Sequence, residues 1–305
     1  TTPKQFSPTG ALTVAEAIVM ADRLHEIYTT GQSTLTNGEP WYQTYVDYAL
    51  ENGIVQAGDF TSYTAKATRG QMAYLFSRAL PATVLPSINN VQTLPDVTGS
   101  TKYSQEIFSL YNAGVLTGSD VFGTFKPNDN IIRAEAAAIL TRVALPEQRK
   151  TVVLMKQVQW GNAKIAVPQS AGAGVTENGY FSVSSQQDLC VAVANAATDK
   201  NFKGYNITKL FTPDSMSQMI ATAFSTNDVQ FKNMGTKTVT FGALKAYRTT
   251  GSALFNEGNY NCVVYTYISG DTMSMILLMA YENDIALQNM ANGLMVGGVT
   301  ASPQF

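Results

Sequence analysis

The stretch that decides the fold of the first half of the chain is GTFKPNDNIIRAEAAAIL, residues 123–140. A run rich in Gly, Pro, Asn and Asp leads directly into Arg-Ala-Glu and then into alanines and aliphatic residues at helical spacing. The first group of residues favours turns, and an acidic residue favours the first turn of a helix. The stretch therefore predicts a loop followed by a helix that begins near Arg133.

The same helix start occurs three times in the first half. The segments align without gaps as LTVAEAIVMADRL (12–24), ATRGQMAYLFSRA (67–79) and IIRAEAAAILTRV (131–143). The FKP of 125–127 recurs as FSP at 6–8, at the same distance from its helix. An upstream block repeats as WYQTYVDYALENGIV (41–55) and KYSQEIFSLYNAGVL (102–116). Internal repeats of this kind indicate copies of one supersecondary unit.

The upstream block predicts a first helix in each copy. Val46, Ala49 and Leu50 have the i, i+3, i+4 spacing of one apolar helix face. Gly53 and Gly114 follow the two predicted helices, where a left-handed C-terminal residue is expected. Each copy is therefore read as helix, glycine stop, loop and helix.

The second helix of each copy carries a start signal. Thr13-x-x-Glu16 and Thr68-x-x-Gln71 fit the capping box, in which two side chains bond each other's backbone N–H groups. In the third copy an isoleucine at 132 replaces the threonine, which breaks half of the box.

This pattern resembles the S-layer homology domain, whose signature is Thr-Arg-Ala-Glu at a helix start after a Gly-x-Phe-x-Pro loop. The third copy has Ile for Thr, the second has Gln for Glu, and the first has Val14 for Arg. The resemblance implies an all-α, pseudo-threefold unit over residues 1–149, with copies at 1–30, 40–80 and 94–145. The first copy lacks its first helix, which the pattern places before residue 1.

The resemblance also implies a function: anchoring of a secreted protein to a Gram-positive-type cell wall or S-layer. Such units bind secondary cell-wall polysaccharide, often pyruvylated, in grooves between the copies. Arg69 and Arg133 carry over as ligands of the ketal carboxylate, since an arginine at a helix N-terminus places a forked donor beside the positive end of the dipole. Val14 cannot do this, which puts one of the three family sites in doubt.

Other candidates have two readings each. Glu135 is a helix cap or a ligand contact, Trp41 is a sugar-stacking ring or a packing residue, and Lys126 is an exposed loop cation or a ligand contact. Three further arginines share one column of the repeat and are interpreted as structural, pairing with carboxylates of a neighbouring copy: Arg23, Arg78 and Arg142.

The pattern changes to period two after LPEQRK, near 145–151. KIAVP, GYFSVSS and DLCVAVANA read as strands, and NYNCVVYTYISGDTMSMILLMAYE reads as a hairpin that turns at Gly270-Asp271. Thr212 caps a predicted helix, and a last helix is expected to start near Asn283. Residues 150–305 are therefore predicted to form an α+β domain with an antiparallel sheet, which faintly resembles the PsbP-like family.

Composition excludes several functions. Only 14% of residues are charged, the net charge is −2, and no basic run is present to bind nucleic acid or anionic lipid. No apolar stretch approaches the length of a membrane span. Cys190 and Cys262 lack the spacing and partners of a zinc site, so no metal or cofactor is expected; buried thiols are favoured over a disulfide. The one histidine, His25, is interpreted as a packing residue.

The second half offers no catalytic motif. It contains no histidine, no GxSxG, no P-loop and no HExxH. We therefore expect a non-enzymatic protein in which the second domain serves display or interaction. The alternative is a wall-anchored enzyme, for example a glycan hydrolase, whose two carboxylates meet only in space within 151–305.

Overall fold

The computed structural model describes residues 6–224, 229–255, 258–281 and 284–303. It divides the chain into two units, Thr1–Val152 and Val153–Phe305, helical in the first and rich in antiparallel sheet in the second. The predicted start of the last helix at Asn283 lies outside the described residues.

Over its described residues, 6–152, the first unit contains five α-helices and two short 3-10 turns, Ala82–Val84 and Pro146–Gln148. The helices are α1 (Val14–Thr30), α2 (Gln43–Glu51), α3 (Arg69–Arg78), α4 (Ser104–Asn112) and α5 (Arg133–Ala144). Between residues 6 and 152 the described backbone forms isolated β-bridges but no strand. The predicted helical character of this half is confirmed.

The second helix of each copy starts as its sequence predicts. The Thr13 hydroxyl accepts the Glu16 N–H at 3.2 Å, and the Glu16 carboxylate accepts the Thr13 N–H at 2.8 Å. Thr68 and Gln71 make the same pair of bonds at 3.1 and 2.8 Å. In the third copy only the glutamate half forms, because the isoleucine side chain has no acceptor.

Two glycines end the first helices in left-handed conformation, with φ of 68° at Gly53 and 73° at Gly114. The arginine column covers the carbonyl groups near these ends. Arg78 donates to Gly53 O at 2.7 Å, and Arg142 donates to Val115 O at 3.1 Å. These two guanidinium groups satisfy backbone acceptors that a helix end leaves free. Arg23 donates instead to the Tyr45 hydroxyl at 3.2 Å. The structural interpretation of the three arginines is confirmed, but the expected carboxylate partners are wrong, since no ion pair between the described residues includes any of them.

The apolar faces of the repeat form the interior of this unit. Val46 and Ala49 of α2 are buried, but Leu50 is 39% exposed, so the predicted stripe on this nine-residue helix is narrower than expected. The corresponding α4 residues, Ile107 and Leu110, are fully buried.

A ring of three backbone hydrogen bonds links the three copies. Each of its residues lies two positions before the first residue of α1, α3 or α5. Leu12 N–H donates to Ile131 O at 3.1 Å, Ile131 N–H donates to Ala67 O at 3.0 Å, and Ala67 N–H donates to Leu12 O at 2.9 Å. All three residues are buried. They hold the same position in the three aligned segments.

The described residues of the second unit form two sheets. The larger has seven antiparallel strands in the order β3-β4-β5-β9-β8-β7-β6, and the smaller has the order β1-β2-β10-β11. The strands are β1 (Met155–Trp160), β2 (Ala163–Pro168), β3 (Val175–Glu177), β4 (Tyr180–Ser185), β5 (Cys190–Thr198), β6 (Val229–Phe241), β7 (Leu244–Phe255), β8 (Gly258–Ser269), β9 (Thr272–Tyr281), β10 (Met295–Val296) and β11 (Val299–Thr300).

Helices cover the larger sheet. Helices α6 (Ile207–Leu210) and α7 (Pro213–Phe224) pack on one face, where Met216 and Ile220 contact a cluster that includes Val264. Helix α8 (Asp284–Gly293) contacts β2, β8 and β9. Strand β8 is buried from Cys262 to Ile268, as its two apolar faces predict.

Both cysteines lie on strands of the larger sheet and are free and buried. Cys190 lies opposite Ala280, whereas Cys262 lies opposite Met279. Neighbouring positions of β9 point to opposite faces of the sheet, so the two thiols do too. Burial raises the pKa of each thiol to about 12. The expectation of buried thiols is confirmed.

Candidate ligand-binding junctions

Each of the three helix starts meets the loop that precedes the helix of the next copy. The first two N–H groups of α1, α3 and α5 donate to that loop, and so satisfy donors that a helix start leaves free. The bonds are Val14 to Ala65 O and Ala15 to Tyr63 O; Arg69 to Asp129 O and Gly70 to Pro127 O; Arg133 to Gly10 O and Ala134 to Pro8 O, all between 2.8 and 3.0 Å. We call these meeting points the 1–2, 2–3 and 3–1 junctions.

At the 2–3 junction, Arg69 is the first residue of α3. Its Nη1 donates to Glu135 Oε1 at 2.5 Å, and its Nε donates to Phe125 O at 2.6 Å. The guanidinium carbon also lies 5.1 Å from the centre of the Phe125 ring. The Arg69 side chain is 12% exposed, so most of this cation is used by the protein itself.

At the 3–1 junction, Arg133 is the first residue of α5. Its Nη1 donates to Glu16 Oε1 at 3.0 Å, and the guanidinium lies 5.9 Å from the Phe6 ring centre. Both charged side chains are 36% exposed. Burial acts most strongly on Glu16 and tends to raise its pKa, but hydrogen bonds from Thr13 and Arg133 outweigh it, and the pKa is lowered. The carboxylate is therefore ionised, and the pair presents an accessible guanidinium.

The 1–2 junction has the same backbone and no such ion pair. Val14 holds the position of the two arginines and is 2% exposed, and Gln71 holds the position of the two glutamates. Both members of the pair have thus changed to uncharged residues at the same junction.

The Phe-x-Pro loop of the third copy is fixed by acids. The Asp96 carboxylate accepts the N–H groups of Phe125 and Lys126 at 2.9 and 2.5 Å. Lys126 has a left-handed backbone, with φ of 59°, and an exposed side chain. Asp120 accepts from the backbone and hydroxyl of Thr124; these bonds lower its pKa although burial, the largest influence, tends to raise it. Lys126 therefore stands on a rigid loop at the edge of the 2–3 junction.

Trp41 lies at the 1–2 junction. The residue is 41% exposed, and its ring meets that of Tyr42 edge-on, with ring centres 5.5 Å apart. The Tyr42 ring lies 5.6 Å from that of Tyr63, whose carbonyl accepts from the start of α1. The structure thus brings Arg69 and Glu135 together at one junction and places Trp41 at another.

Sequence reasoning missed Glu16 and the two phenylalanines as partners of the arginines. A signal was present, since FSP and FKP align and each places a phenylalanine eight residues before the helix start. The predicted capping role accounts for only one carboxylate oxygen of each glutamate. In Glu16, Oε2 accepts the Thr13 N–H of the cap, and Oε1 accepts from Arg133 of the neighbouring copy.

His25 contacts Tyr48, with 2.8 Å between Nδ1 and the phenol oxygen, which fits its interpretation as a packing residue. Within the described residues, no three His, Cys, Asp or Glu side chains form a group that could hold a metal ion. None of the described helices has the length and apolar character needed to cross a membrane.

Comparison with known proteins places one segment in a family. Residues 93–137, which cover most of the third copy, match the S-layer homology domain. A segment of this family indicates a protein of the cell surface or S-layer. The search of curated proteins found no match.

Solved structures resemble the second part of the chain distantly. The solution structure of cyanobacterial PsbP (CyanoP) from Synechocystis sp. PCC 6803 is 11% identical, with a TM-score of 0.38 over 47% of this chain and 92% of that one. LpqN, involved in cell envelope biogenesis of Mycobacterium tuberculosis, is 16% identical, with a TM-score of 0.30 over 50% of this chain and 92% of that one. Nothing about function follows from likenesses this distant.

Proposed function

We propose that the helical unit anchors a secreted protein to secondary cell-wall polysaccharide by holding anionic substituents of the polymer, such as pyruvate ketals. The match of residues 93–137 to the S-layer homology domain supports this proposal. In the proposal the three copies form a pseudo-threefold unit, and the hydrogen-bonded ring of Leu12, Ala67 and Ile131 is its axis.

The observation that carries the proposal is the state of Arg133. One of its nitrogens is held by Glu16, which fixes the guanidinium, while about a third of the side chain stays accessible. The group projects from the first turn of a twelve-residue helix, where the dipole favours an anion. A ketal carboxylate suits a forked donor in that position.

Arg69 holds the same position but is more deeply placed. Its hydrogen bonds to Glu135 and to Phe125 O leave less of the guanidinium accessible than at the 3–1 junction. We therefore assign the main anion contact to Arg133 and a supporting contact to Arg69. In this arrangement Glu16 and Glu135 position the two cations, and Lys126 adds an exposed charge beside the 2–3 junction.

The test is the affinity of the full chain for wall polymer released by hydrofluoric acid. We expect Arg133→Ala to weaken binding by roughly 10- to 150-fold, because a hydrogen bond to a charged group contributes about 1.5–3 kcal/mol. Arg133→Lys should recover only part of the affinity, since the fork geometry is lost.

The control is Arg23→Ala, which removes an exposed arginine that donates to the Tyr45 hydroxyl at 3.2 Å and takes part in none of the three junctions. Melting temperature is measured on the same preparations, so that loss of affinity is separated from loss of fold. Unchanged affinity in an Arg69→Ala/Arg133→Ala double variant that melts like the parent would contradict the proposal.

For Val153–Phe305 we propose display or interaction instead of catalysis. Several acids in this unit are engaged locally, which supports the proposal: Asp188 accepts from Ser185, Asp199 caps a 3-10 turn, and Asp284 accepts from Asn261. Incubating the polymer with the full chain tests the enzyme alternative. New reducing ends that increase with protein concentration would favour a glycan hydrolase.

A further inference from the structure

Strand β6 forms one edge of the larger sheet. Among the described strands it is the last in the sheet order, and it pairs with β7 on its inner side. Its thirteen residues, Val229–Phe241, make it longer than any other described strand. A strand edge of this length presents a row of backbone N–H and C=O groups that can bind another extended chain.

One end of this edge already binds an extended segment. Thr240 N–H donates to Ser302 O at 2.9 Å, and Ser302 N–H donates to Thr240 O at 2.8 Å, in an antiparallel bridge. The hydrogen-bonding groups of a strand alternate between its two sides, so Thr238 and Thr236 present theirs in the same outward direction as Thr240. The backbone of the edge is therefore suited to pairing, and no described strand pairs with these next two positions.

The hairpin that carries this edge is strongly basic. Between Val229 and Phe255 the sequence has four lysine and arginine residues and no aspartate or glutamate. Lys232, Lys237 and Lys245 are exposed. A second copy of the same edge would bring like charges together, whereas an acidic chain would find complementary ones.

Two of these lysines lie on one face of β6. Phe231 packs against the cluster beneath α7, and the Thr236 hydroxyl lies 2.7 Å from the Ser217 hydroxyl of α7. Because successive side chains of a strand point to opposite faces, the next residues, Lys232 and Lys237, point away from α7. A strand added to the edge would place every second side chain on this face, at the roughly 5 Å spacing of cross-strand pairs.

We infer that the outer edge of β6 binds an extended protein segment that carries acidic residues at alternate positions; this rests on the proposed interaction role of Val153–Phe305. Backbone hydrogen bonds to Thr236 and Thr238 supply the affinity, as in other cases of strand addition. Carboxylates beside Lys232 and Lys237 supply the specificity. The same lysines that repel a second copy of the edge thus select the partner.

The experiment uses the full chain and two octapeptides with blocked ends, (Glu-Val)4 and (Lys-Val)4. In an extended conformation each peptide places its charges on one face. We expect calorimetric titration to show saturable binding of (Glu-Val)4 that weakens as salt is added, with (Lys-Val)4 binding at least about 10-fold more weakly. Slower amide hydrogen exchange at Thr236 and Thr238 on addition of (Glu-Val)4 locates the bound strand.

Variants separate the charge from the backbone. Lys237→Glu should weaken binding of (Glu-Val)4 by about 3- to 10-fold, because an attractive cross-strand pair becomes repulsive. The matched control is Lys164→Glu, which makes the same change at an exposed residue of β2 in the smaller sheet and should bind like the parent.

Thr238→Pro removes an outward N–H at an edge position where proline is tolerated, and should weaken binding of (Glu-Val)4 by about 10-fold. Thr238→Val keeps the backbone donor and should bind like the parent. Melting temperatures of all variants are compared with that of the parent, so that loss of affinity is separated from loss of fold.

Three results would overturn the inference. If (Glu-Val)4 does not bind, or leaves exchange at Thr236 and Thr238 unchanged, the lysines serve only to keep the edge from pairing. Exchange protection that increases with protein concentration in the absence of peptide would identify a second copy as the occupant. Weaker binding of untreated wall polymer by Lys237→Glu would make the hairpin a contact for the polymer instead.

The proposed function fails by different measurements. New reducing ends in the polymer would contradict the interaction role of the second unit, whatever the peptides do. An Arg133→Ala variant that binds untreated polymer like the parent would contradict the anchoring proposal while the strand-binding edge stands. Conversely, loss of peptide binding alone leaves the anchoring proposal intact.

Discussion

The 2–3 and 1–2 junctions share one backbone and carry opposite side chains. At the 2–3 junction a guanidinium is enclosed by a carboxylate, a carbonyl and a phenylalanine ring. At the 1–2 junction the equivalent positions are uncharged, and the surrounding surface is aromatic. Because the hydrogen-bonded ring closes in the same way at all three copies, the ion pair is not what holds the copies together. The side chains at each junction are therefore free to differ in the ligand that they suit.

The first copy departs from the other two in its interior as well. Asp22 of α1 lies in the column of Ser77 and Thr141, whose hydroxyls donate to carbonyls of their own helices at 3.0 and 2.9 Å. Asp22 is fully buried, and neither of its carboxylate oxygens has a hydrogen-bond partner. Burial, together with the charge of Glu26, raises its pKa to about 8.

The largest expected effect comes from replacing this acid by its counterpart in the second copy, Asp22→Ser. The folded state binds the Asp22 proton more tightly than the unfolded state, so stability from this group is complete below about pH 4 and is lost as pH rises to about 8. Since each pKa unit corresponds to about 1.4 kcal/mol, the loss is on the order of 5 kcal/mol. The Asp22→Ser variant should not show this loss of stability, and should therefore be more stable than the parent at pH 8.

Urea unfolding from pH 5 to pH 9, followed by Trp41 fluorescence in the Trp160→Phe background, measures this difference. The control is Asp47→Ser, which removes an exposed acid from α2. A stability difference between Asp22→Ser and the parent that does not change with pH would show that Asp22 is ionised in the fold.

A second comparison sets the two ion pairs against each other. Arg69→Ala should lower the free energy of unfolding by about 2 kcal/mol, because it removes a largely buried guanidinium and leaves the Phe125 carbonyl and the Glu135 carboxylate without their donor. Arg133→Ala should lower it by less than about 1 kcal/mol, because the Arg133 side chain is 36% exposed, against 12% for Arg69, and its ion pair is screened by solvent. The same fluorescence-detected urea unfolding measures both variants. Equal losses of unfolding free energy would mean that Arg69 contributes no more to stability than Arg133 does.

The sequence predicted what depends on local signals. The cap at Thr68, the glycine at 114 and the hairpin turn at Gly270 each lie within a few residues of the element that they define, so the helix starts, the glycine stops and the β8–β9 hairpin were readable. The repeat alignment also places the three residues of the hydrogen-bonded ring in one column. The ring residues Leu12, Ala67 and Ile131 are the first letters of the three aligned segments.

The partners of the site residues could not be predicted in this way. Arg69 and Glu135 are 66 positions apart, and Arg133 and Glu16 are 117 apart, so each pair exists only because the ring closes. In the second unit, β5 pairs with β9 across the whole of β6, β7 and β8, and the small sheet joins β2 to β10 from the far end of the chain. Periodicity marks a strand but does not identify its neighbour.

The smallest expected effect concerns the 1–2 junction. It tests whether Val14 and Gln71 face each other as the arginine and the glutamate do at the other two junctions. Gln71→Glu alone should change stability little, because the glutamate keeps the cap to the Thr68 N–H. Val14→Arg alone should destabilise, since Val14 is 2% exposed and the new cation has no carboxylate to meet. In the double variant the two charges should attract, with a coupling free energy of about 1 kcal/mol from the double-mutant cycle, decreasing as salt is added. Zero coupling at low salt would show that the side chains of positions 14 and 71 do not face each other, and that the loss of both charges at this junction is unrelated.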